Sequence, residues 1–307
     1  MPKEVIQVEN LVKTYKPVTA VNNVSFTVNE GEIFSLVGPN GAGKTTTVEI
    51  LECLRTPTSG KATVLGYDVT QDEKEIKKRI GVMPQDFNAF ERLTVKENVE
   101  LIGRIYQVEP DTRSILEELG MWEDRDRRFE SLSGGMKRRA GICMALISEP
   151  VLLFLDEPTT GLDPQARRET WDVIRRLKSM GKTVVLTSHY MEEVEELSDR
   201  AAVIVGGEII AQGGIEDLIS AYGGGVRIRV SPYNEEIERI LTETAQKVVK
   251  EDSKIVGIFQ ERPQVGKALA ALYQVDEKYH LDIIEPSMDN VFSRLAGGRV
   301  DERGELI

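Results

Sequence analysis

The chain has 307 residues, 40% of them hydrophobic and 29% charged, with a formal net charge of −12. That length and composition suit one large α/β domain with something smaller beside it, and exclude a low-complexity or solenoid chain. The acidic balance argues against broad nucleic-acid binding, which needs a basic surface, and no window nears the roughly 20 apolar residues of a membrane helix.

The N-terminal Met1-Pro-Lys-Glu-Val-Ile carries no secretory pattern. Val5–Leu11 and the alternating Val24–Val28 read as strands, and Glu30-Gly31 as a turn. The apolar run Ile33–Val37 reads as a buried strand, Gly38–Thr45 as a loop, and Thr46–Leu54 as a helix. Lys61–Leu65 and Ile80–Met83 are further short strands. A helix starts near Leu93-Thr94, with Thr94 and Glu97 spaced as a capping box, and runs to Tyr106. Thr112–Leu119 and Met136–Ile147 read as helices. Val151–Leu155 and Thr183–Thr187 are continuous apolar runs, the mark of strands buried on both faces. Between them Pro164 opens a helix that Gly181 ends. Buried strands alternating with helices predict a mainly parallel sheet covered on both faces.

Gly223-Gly-Gly225 predicts a flexible join, placing the boundary between residues 1–222 and 223–307, with a helical subdomain at about 86–150. Beyond it the pattern restarts: strand Val226–Val230, helix Asn234–Val248, strand Ile255–Phe259, helix Gly266–Tyr279, strand Leu281–Ile284. That order predicts a small α+β domain. The acidic run Glu192–Glu196 reads as a solvated helix face. Cys53 and Cys143 have neither metal-ligand nor redox spacing and read as core residues in a reducing compartment.

Gly38-Pro-Asn-Gly-Ala-Gly-Lys44-Thr45 fits G-x-x-x-x-G-K-[ST] at every fixed position, between a strand and a helix. Gly38, Gly41 and Gly43 let the backbone curl so that successive N–H groups face one anion. The following helix adds its positive end. Lys44 reaches β- and γ-phosphates, and the Thr45 hydroxyl suits Mg²⁺. Pro39, Asn40, Ala42 and Thr46 complete the expected ATP contacts. The strand ending in Asp156-Glu157 delivers two carboxylates to the sheet edge where ligands bind. Asp156 suits the Mg²⁺ shell, and Glu157 suits the orientation and deprotonation of water. Ser133-Gly134-Gly135 opens a helix and offers donors to an anion, or serves as a plain N-cap.

These three motifs, in this order, resemble those of ATP-binding cassette (ABC) ATPases over about residues 3 to 220. In the resemblance Gln85 matches the Q-loop glutamine, which touches Mg²⁺ or the attacking water. Asp163 in Gly161-Leu-Asp163 matches the D-loop, His189 the switch histidine, and Tyr15 the aromatic that stacks on adenine. The resemblance implies a P-loop NTPase fold with a parallel sheet, a small antiparallel β subdomain and a helical subdomain. It implies two cassettes meeting head to tail, with ATP between Lys44 of one and Ser133-Gly134-Gly135 of the other. His189-Tyr-Met-Glu-Glu-Val and Gly161–Arg168 are similar to the drug-export subfamily that includes daunorubicin-type efflux ATPases. The segment Glu285–Phe292 resembles its C-terminal accessory segment, except that Asp289-Asn290 replaces an acidic pair. The expectation is a homodimeric, Mg²⁺-dependent ATPase on the cytoplasmic face of a membrane, held there by separate permease subunits. Phe87, Phe90 and Leu93, next to the Q-loop, read as part of that docking surface or as core. The competing readings are a soluble ABC ATPase of translation, repair or cluster assembly, and a module that senses nucleotide without turnover.

Overall fold

The structure is a computed structural model and describes residues 3–109, 111–275, 278–301 and 303–307. Met1 and Pro2 lie outside them, as do Asp276 and Glu277 in the expected helix through Tyr279. The chain divides into two compact units, one of residues 1–214 and 300–307, the other Ile215–Arg299.

In the first unit the elements are β1 (Glu4–Tyr15), β2 (Val18–Asn29), β3 (Ile33–Val37), α1 (Lys44–Leu51), β4 (Ser59–Val64), β5 (Tyr67–Asp68), α2 (Glu73–Lys77) and β6 (Ile80–Met83). They continue with α3 (Val95–Tyr106), α4 (Thr112–Glu118), α5 (Gly134–Ala145), β7 (Leu152–Asp156), α6 (Pro164–Ser179), β8 (Thr183–Ser188), α7 (Met191–Leu197), β9 (Arg200–Val205) and β10 (Glu208–Gly214). A six-stranded sheet runs in the order β10-β9-β3-β8-β7-β6, and only the β9–β10 pair is antiparallel. A second, antiparallel sheet has the order β2-β1-β4-β5.

The central strands are buried on both faces, as their continuous apolar runs predict. Phe34, Leu36, Leu152 and Phe154 join the core beneath the antiparallel sheet and α1. Ile33, Leu153, Leu155 and Leu186 join the core shared with α5 and α6. Each such side chain stabilises by about 1.5–3 kcal/mol. Cys143 sits in the second core, where burial pushes its thiol up to about 12. The Thr94–Glu97 capping box forms at the start of α3, with Glu97 N donating to Thr94 Oγ1 at 3.1 Å and Thr94 N to Glu97 Oε2 at 2.8 Å.

The second unit contains α8 (Ile215–Tyr222), β11 (Val226–Ser231), α9 (Glu235–Thr244), β12 (Lys247–Glu251), β13 (Lys254–Phe259), α10 (Arg262–Leu272), β14 (His280–Ile284) and α11 (Met288–Ala296). Its sheet is antiparallel, in the order β12-β13-β11-β14, a split βαββαβ arrangement. Ile228, Val230, Ile255 and Phe259 pack on α9 and α10 from one face.

Three sequence expectations are corrected here. The helix expected over Asn234–Val248 stops at Thr244, and Lys247–Glu251 is a strand. The β-branched pair Val248-Val249 favours the pleat, and Asp252, with φ +49°, turns the chain into β13. The next helix starts at Arg262, with Pro263 in its first turn, and ends at Leu272. The boundary expected at 222/223 falls at 214/215, because α8 packs on α11 within the second unit.

Candidate active site

Strand register gathers the site. Val37 pairs with Ser188, and Asp156 with Thr187. The chain therefore leaves β3, β8 and β7 on one sheet edge, about 5 Å apart from strand to strand. Gly38, His189 and Glu157 follow those strand ends directly. Met83 pairs with Leu155, so Gln85 emerges on the same edge.

The loop from Gly38 to Gly43 winds into α1, whose N-cap, Gly43, carries no capping side chain. The first N–H groups of α1 are left for a ligand. Gly43 holds φ +102°, and a Cβ there would overlap the Ala20 carbonyl oxygen. A Cβ on Gly38 would overlap that of Ile204. The loop lines a cavity of about 420 Å³ together with Tyr15, Gln85 and Glu157. Tyr15 is 40% exposed at its rim, with Lys13 Nζ 5.1 Å from the ring centre.

Lys44 is buried, and its ammonium donates to Gly38 O at 2.8 Å and Pro39 O at 3.1 Å. Its third partner is Glu157, with Oε1 at 3.3 Å. Burial pulls the Lys44 pKa down, while Glu157 and Asp156 pull it back up. Glu157 Oε2 accepts from Thr160 Oγ1 at 2.8 Å and from Gln85 Nε2 at 3.4 Å. His189 Nδ1 lies 3.1 Å from the same oxygen. An ionised carboxylate only accepts, so the His189 proton sits on Nδ1. Burial pushes the Glu157 carboxyl up, but the His189 hydrogen bond, Lys44 and Thr160 outweigh it and hold the pKa at about 2. His189 Nε2 is buried and has no hydrogen-bond partner among the described residues. The Glu157 backbone is left-handed at φ +46°, and its N–H donates to Thr187 Oγ1 at 3.0 Å.

Asp156 accepts from the Thr187 hydroxyl and, at 3.4 Å, from Thr45 Oγ1. Burial raises its pKa. Thr45 and Asp156 present two oxygen donors beside the phosphate loop, the ligand type that suits Mg²⁺. The loop's open helix end, the buried ammonium and this oxygen pair fit a magnesium nucleotide.

Ser133 caps α5, accepting from Met136 N at 3.3 Å. Neither it nor Gly134 or Gly135 lines the phosphate-loop cavity. Asp163, expected at the nucleotide, spends its carboxylate on the first turn of α6, accepting from Gln165 N and Ala166 N at 3.0 Å each. Arg138 of α5 donates to Gln85 O at 2.8 Å, which ties the Q-loop to the helix that Ser133 opens. Asn40 is taken by the last residues of the chain: its N–H donates to Gly304 O at 2.6 Å, and its Nδ2 to Arg303 O at 2.7 Å.

Sequence reasoning missed Thr160, Thr187 and Arg138, although the first two lie within three residues of Glu157 and His189. It misread Glu193 as solvated. Glu193 is 1% exposed and accepts from Thr159 Oγ1 at 2.7 Å and Trp171 Nε1 at 3.1 Å, while Glu192, Glu195 and Glu196 are exposed. Helical spacing puts position 193 with Met191, Val194 and Leu197 on the inner face of α7.

A parallel sheet whose edge carries this cluster defines the class of the molecule, a P-loop ATPase of the cassette type. The sequence model of the ABC transporter family matches residues 21–160. The chain is 35% identical over 315 residues to the daunorubicin/doxorubicin resistance ATP-binding protein DrrA of Streptomyces peucetius, covering 98% of this chain and 95% of that one. It is 36% identical over 307 residues to the linearmycin resistance ATP-binding protein LnrL of Bacillus subtilis (strain 168), covering 95% and 98%. It is 37% identical over 310 residues to the Nod factor export ATP-binding protein I of Rhizobium sp. (strain N33), covering 98% and 100%. Among solved structures it is similar to the ADP conformation of the cassette MJ1267, with TM-score 0.64, 28% identity, and 70% and 92% of the two chains covered. It is also similar to the dimeric cassette MJ0796, with TM-score 0.61, 29% identity, and 68% and 98% covered. The chain belongs to the ABC transporter family, and is its ATP-hydrolysing cassette.

Proposed function

We propose that this chain is the ATPase subunit of an exporter. Two copies clasp ATP between them, and hydrolysis drives efflux of a drug-like or lipid-like molecule through separate membrane subunits. The full-length relatives named for drug resistance and for export support the direction of transport. No helix among the described residues is long and apolar enough to cross a membrane, so a permease must supply the path. The reading places the chain on the cytoplasmic face, docked through the Q-loop. A groove of about 210 Å³ there is lined by Phe87, Phe90, Ile102 and Tyr106, and suits a helix from the permease. Phe90 is 60% exposed, whereas Phe87 is partly buried against the core.

The observation that carries the ATPase mechanism is the convergence of Lys44, Gln85, Thr160 and His189 on the Glu157 carboxylate. Lys44 binds the β- and γ-phosphates, and the α1 N–H groups share their charge. Tyr15 stacks on the base. When bound, Mg²⁺ would neutralise phosphate charge and polarise the leaving oxygens, and Thr45, Asp156 and Gln85 would hold it. Glu157 orients the attacking water and takes its proton. As drawn, Glu157 is a poor base, because Lys44 and its hydrogen-bond donors hold its pKa at about 2. Phosphates compete for Lys44, and its departure moves Glu157 toward basicity. His189 Nε2, bare and buried, is free to accept from the attacking water, and would donate to the terminal phosphate only once it carried a proton as well.

Ser133 and the Gly134-Gly135 turn stand away from their own phosphate loop, which is the arrangement a head-to-tail pair requires. Asp163 stiffens the D-loop beside that turn. We assign the second unit, with the segment that follows it, an accessory role. The test is purified Glu157→Gln with ATP, followed by light scattering and phosphate release. A stable dimer, with turnover lowered roughly 10²–10⁴-fold, is expected. Persistent monomer rejects the clasp, and near-normal phosphate release rejects the role of Glu157.

A further inference from the structure

A group of cations without counter-ions among the described residues lines a cavity inside the second unit, far along the sequence from the phosphate loop. β13 places Ile258 opposite Arg227 of β11 on one side and opposite Lys247 of β12 on the other. Residues paired across a sheet share a face. Arg227, Ile258 and Lys247 therefore form one row, on the face opposite the core made by Ile228, Val230 and Phe259. Helix α11 brings Asn290 and Arg294, one turn apart, to the same cavity, and Arg299 follows the Gly297 that ends the helix. The cavity measures about 610 Å³, within the usual range for small-molecule sites.

No Asp or Glu lines this cavity among the described residues. None of Arg227, Lys247, Arg294 and Arg299 makes an ion pair or side-chain hydrogen bond among them, although most other cations of the chain do. Four cations converging without a counter-ion repel one another, and a multiply charged anion relieves that repulsion. Three of the four are arginines, whose planar forks grip phosphate oxygens two at a time. Ile258 on the floor and Tyr222 on the wall give an organic group something to lie against. Asn290 keeps the cavity free of negative charge. Its Oδ1 accepts from Ser287 N at 3.1 Å to cap α11, a task a carboxylate would do equally well while adding negative charge to the lining.

We propose that the second unit holds a binding site for a multiply charged phosphate compound, built by Arg227, Lys247, Arg294 and Arg299 and separate from the ATP site. The site is concave, which suits a soluble organic polyphosphate; the same chemistry is offered by a phospholipid headgroup. The inference stands whether or not the chain is an exporter ATPase.

The test uses the full chain carrying Lys44→Ala, which weakens phosphate binding at the catalytic loop. Inorganic tripolyphosphate is titrated by calorimetry, and vesicles containing phosphatidylglycerol are tested by co-sedimentation. Saturable tripolyphosphate binding is expected, weakened roughly tenfold or more by Asn290→Asp and by Arg227→Gln with Arg294→Gln. Asn290→Asp keeps the cap, so its melting temperature should match the parent and separate charge from misfolding. Tripolyphosphate binding without vesicle recruitment identifies a soluble ligand. Vesicle recruitment that Asn290→Asp abolishes identifies a headgroup. Absence of saturable binding to either probe, or binding that these variants leave unchanged, overturns the proposal.

Discussion

Lys44 Nζ lies 3.3 Å from Glu157 Oε1, and each side chain is only 4% exposed. The residue expected to hold phosphate and the residue expected to activate water are thus each other's counter-ion. This pairing makes the Glu157 carboxylate part of the fold's stability. The Glu157 pKa is about 2, against 4.5 for an ordinary glutamate. A depressed carboxyl stabilises fully above the higher value and loses that contribution as pH falls to the lower one. The advantage of wild type over Glu157→Gln should therefore shrink by about 3 kcal/mol between pH 4.5 and pH 2. Melting temperatures of both proteins across that range check it. A constant gap would show that the pair does not titrate with folding.

Glu52 runs the other way. It is 5% exposed at the end of α1, and burial, with Asp156 and Glu49 nearby, pushes its pKa up to about 8. The unfolded chain ionises this group above pH 4.5, while the folded chain keeps it protonated until about 8. Stability is therefore lost progressively as pH rises from 4.5 to 8. Glu52→Gln should melt like wild type near pH 4.5 and be the more stable protein above pH 8, by up to about 5 kcal/mol. Thermal scans at both ends of the range decide it, and equal melting at high pH would refute it.

The serine–glycine turn separates packing from chemistry. A Cβ on Gly135 would lie 2.8 Å from Ala166 Cβ of α6, whereas one on Gly134 meets only Leu162 Cδ2 at 3.3 Å. Gly135→Ala should cost about 1–3 kcal/mol through overpacking, seen as a lower melting temperature. Gly134→Ala should melt close to wild type, because the leucine end can give way. Any loss of ATPase activity in Gly134→Ala then reports contact with a nucleotide rather than a damaged fold.

The chain's last residues cover Asn40 of the phosphate loop, an edge that the proposed pair would bring against a second cassette. Arg303 O and Gly304 O both accept from Asn40, and a Cβ on Gly304 would lie 2.7 Å from the Asn40 side-chain amide. Removing residues 300–307, or introducing Gly304→Val, should free that edge for a second cassette. Two hydrogen bonds of about 1 kcal/mol each correspond to a shift of roughly tenfold or more in the uncovered population. The ATP concentration that half-dimerises Glu157→Gln should fall accordingly, as read by light scattering. An unchanged midpoint would mean that the tail yields at no cost.

Much of the placement of the candidate site was legible in the sequence. Buried parallel strands are continuous apolar runs, and the candidate residues lie at or just past their ends, as at Val37-Gly38 and Leu155-Asp156-Glu157. What escaped had no such local signal. Glu193 looks like its acidic neighbours until the helix phase is counted against Trp171 and Thr159. The β12 strand was hidden because Lys247–Glu251 continues a helical spacing across the true end at Thr244. The Asn40 contact is made by backbone carbonyls, which no side-chain pattern advertises. The row Lys247–Ile258–Arg227 exists only once strand order is known, since its members come from three separate strands.

Arg138 grips the Gln85 carbonyl from the helix that Ser133 opens. In the head-to-tail pair proposed above, the first of these loops would attend the nucleotide on its own side, and the second would serve the nucleotide opposite. Joined by one guanidinium, they form a single crank. Were the proposed pair to form, a change at one nucleotide would be passed through this guanidinium to the turn that faces the other.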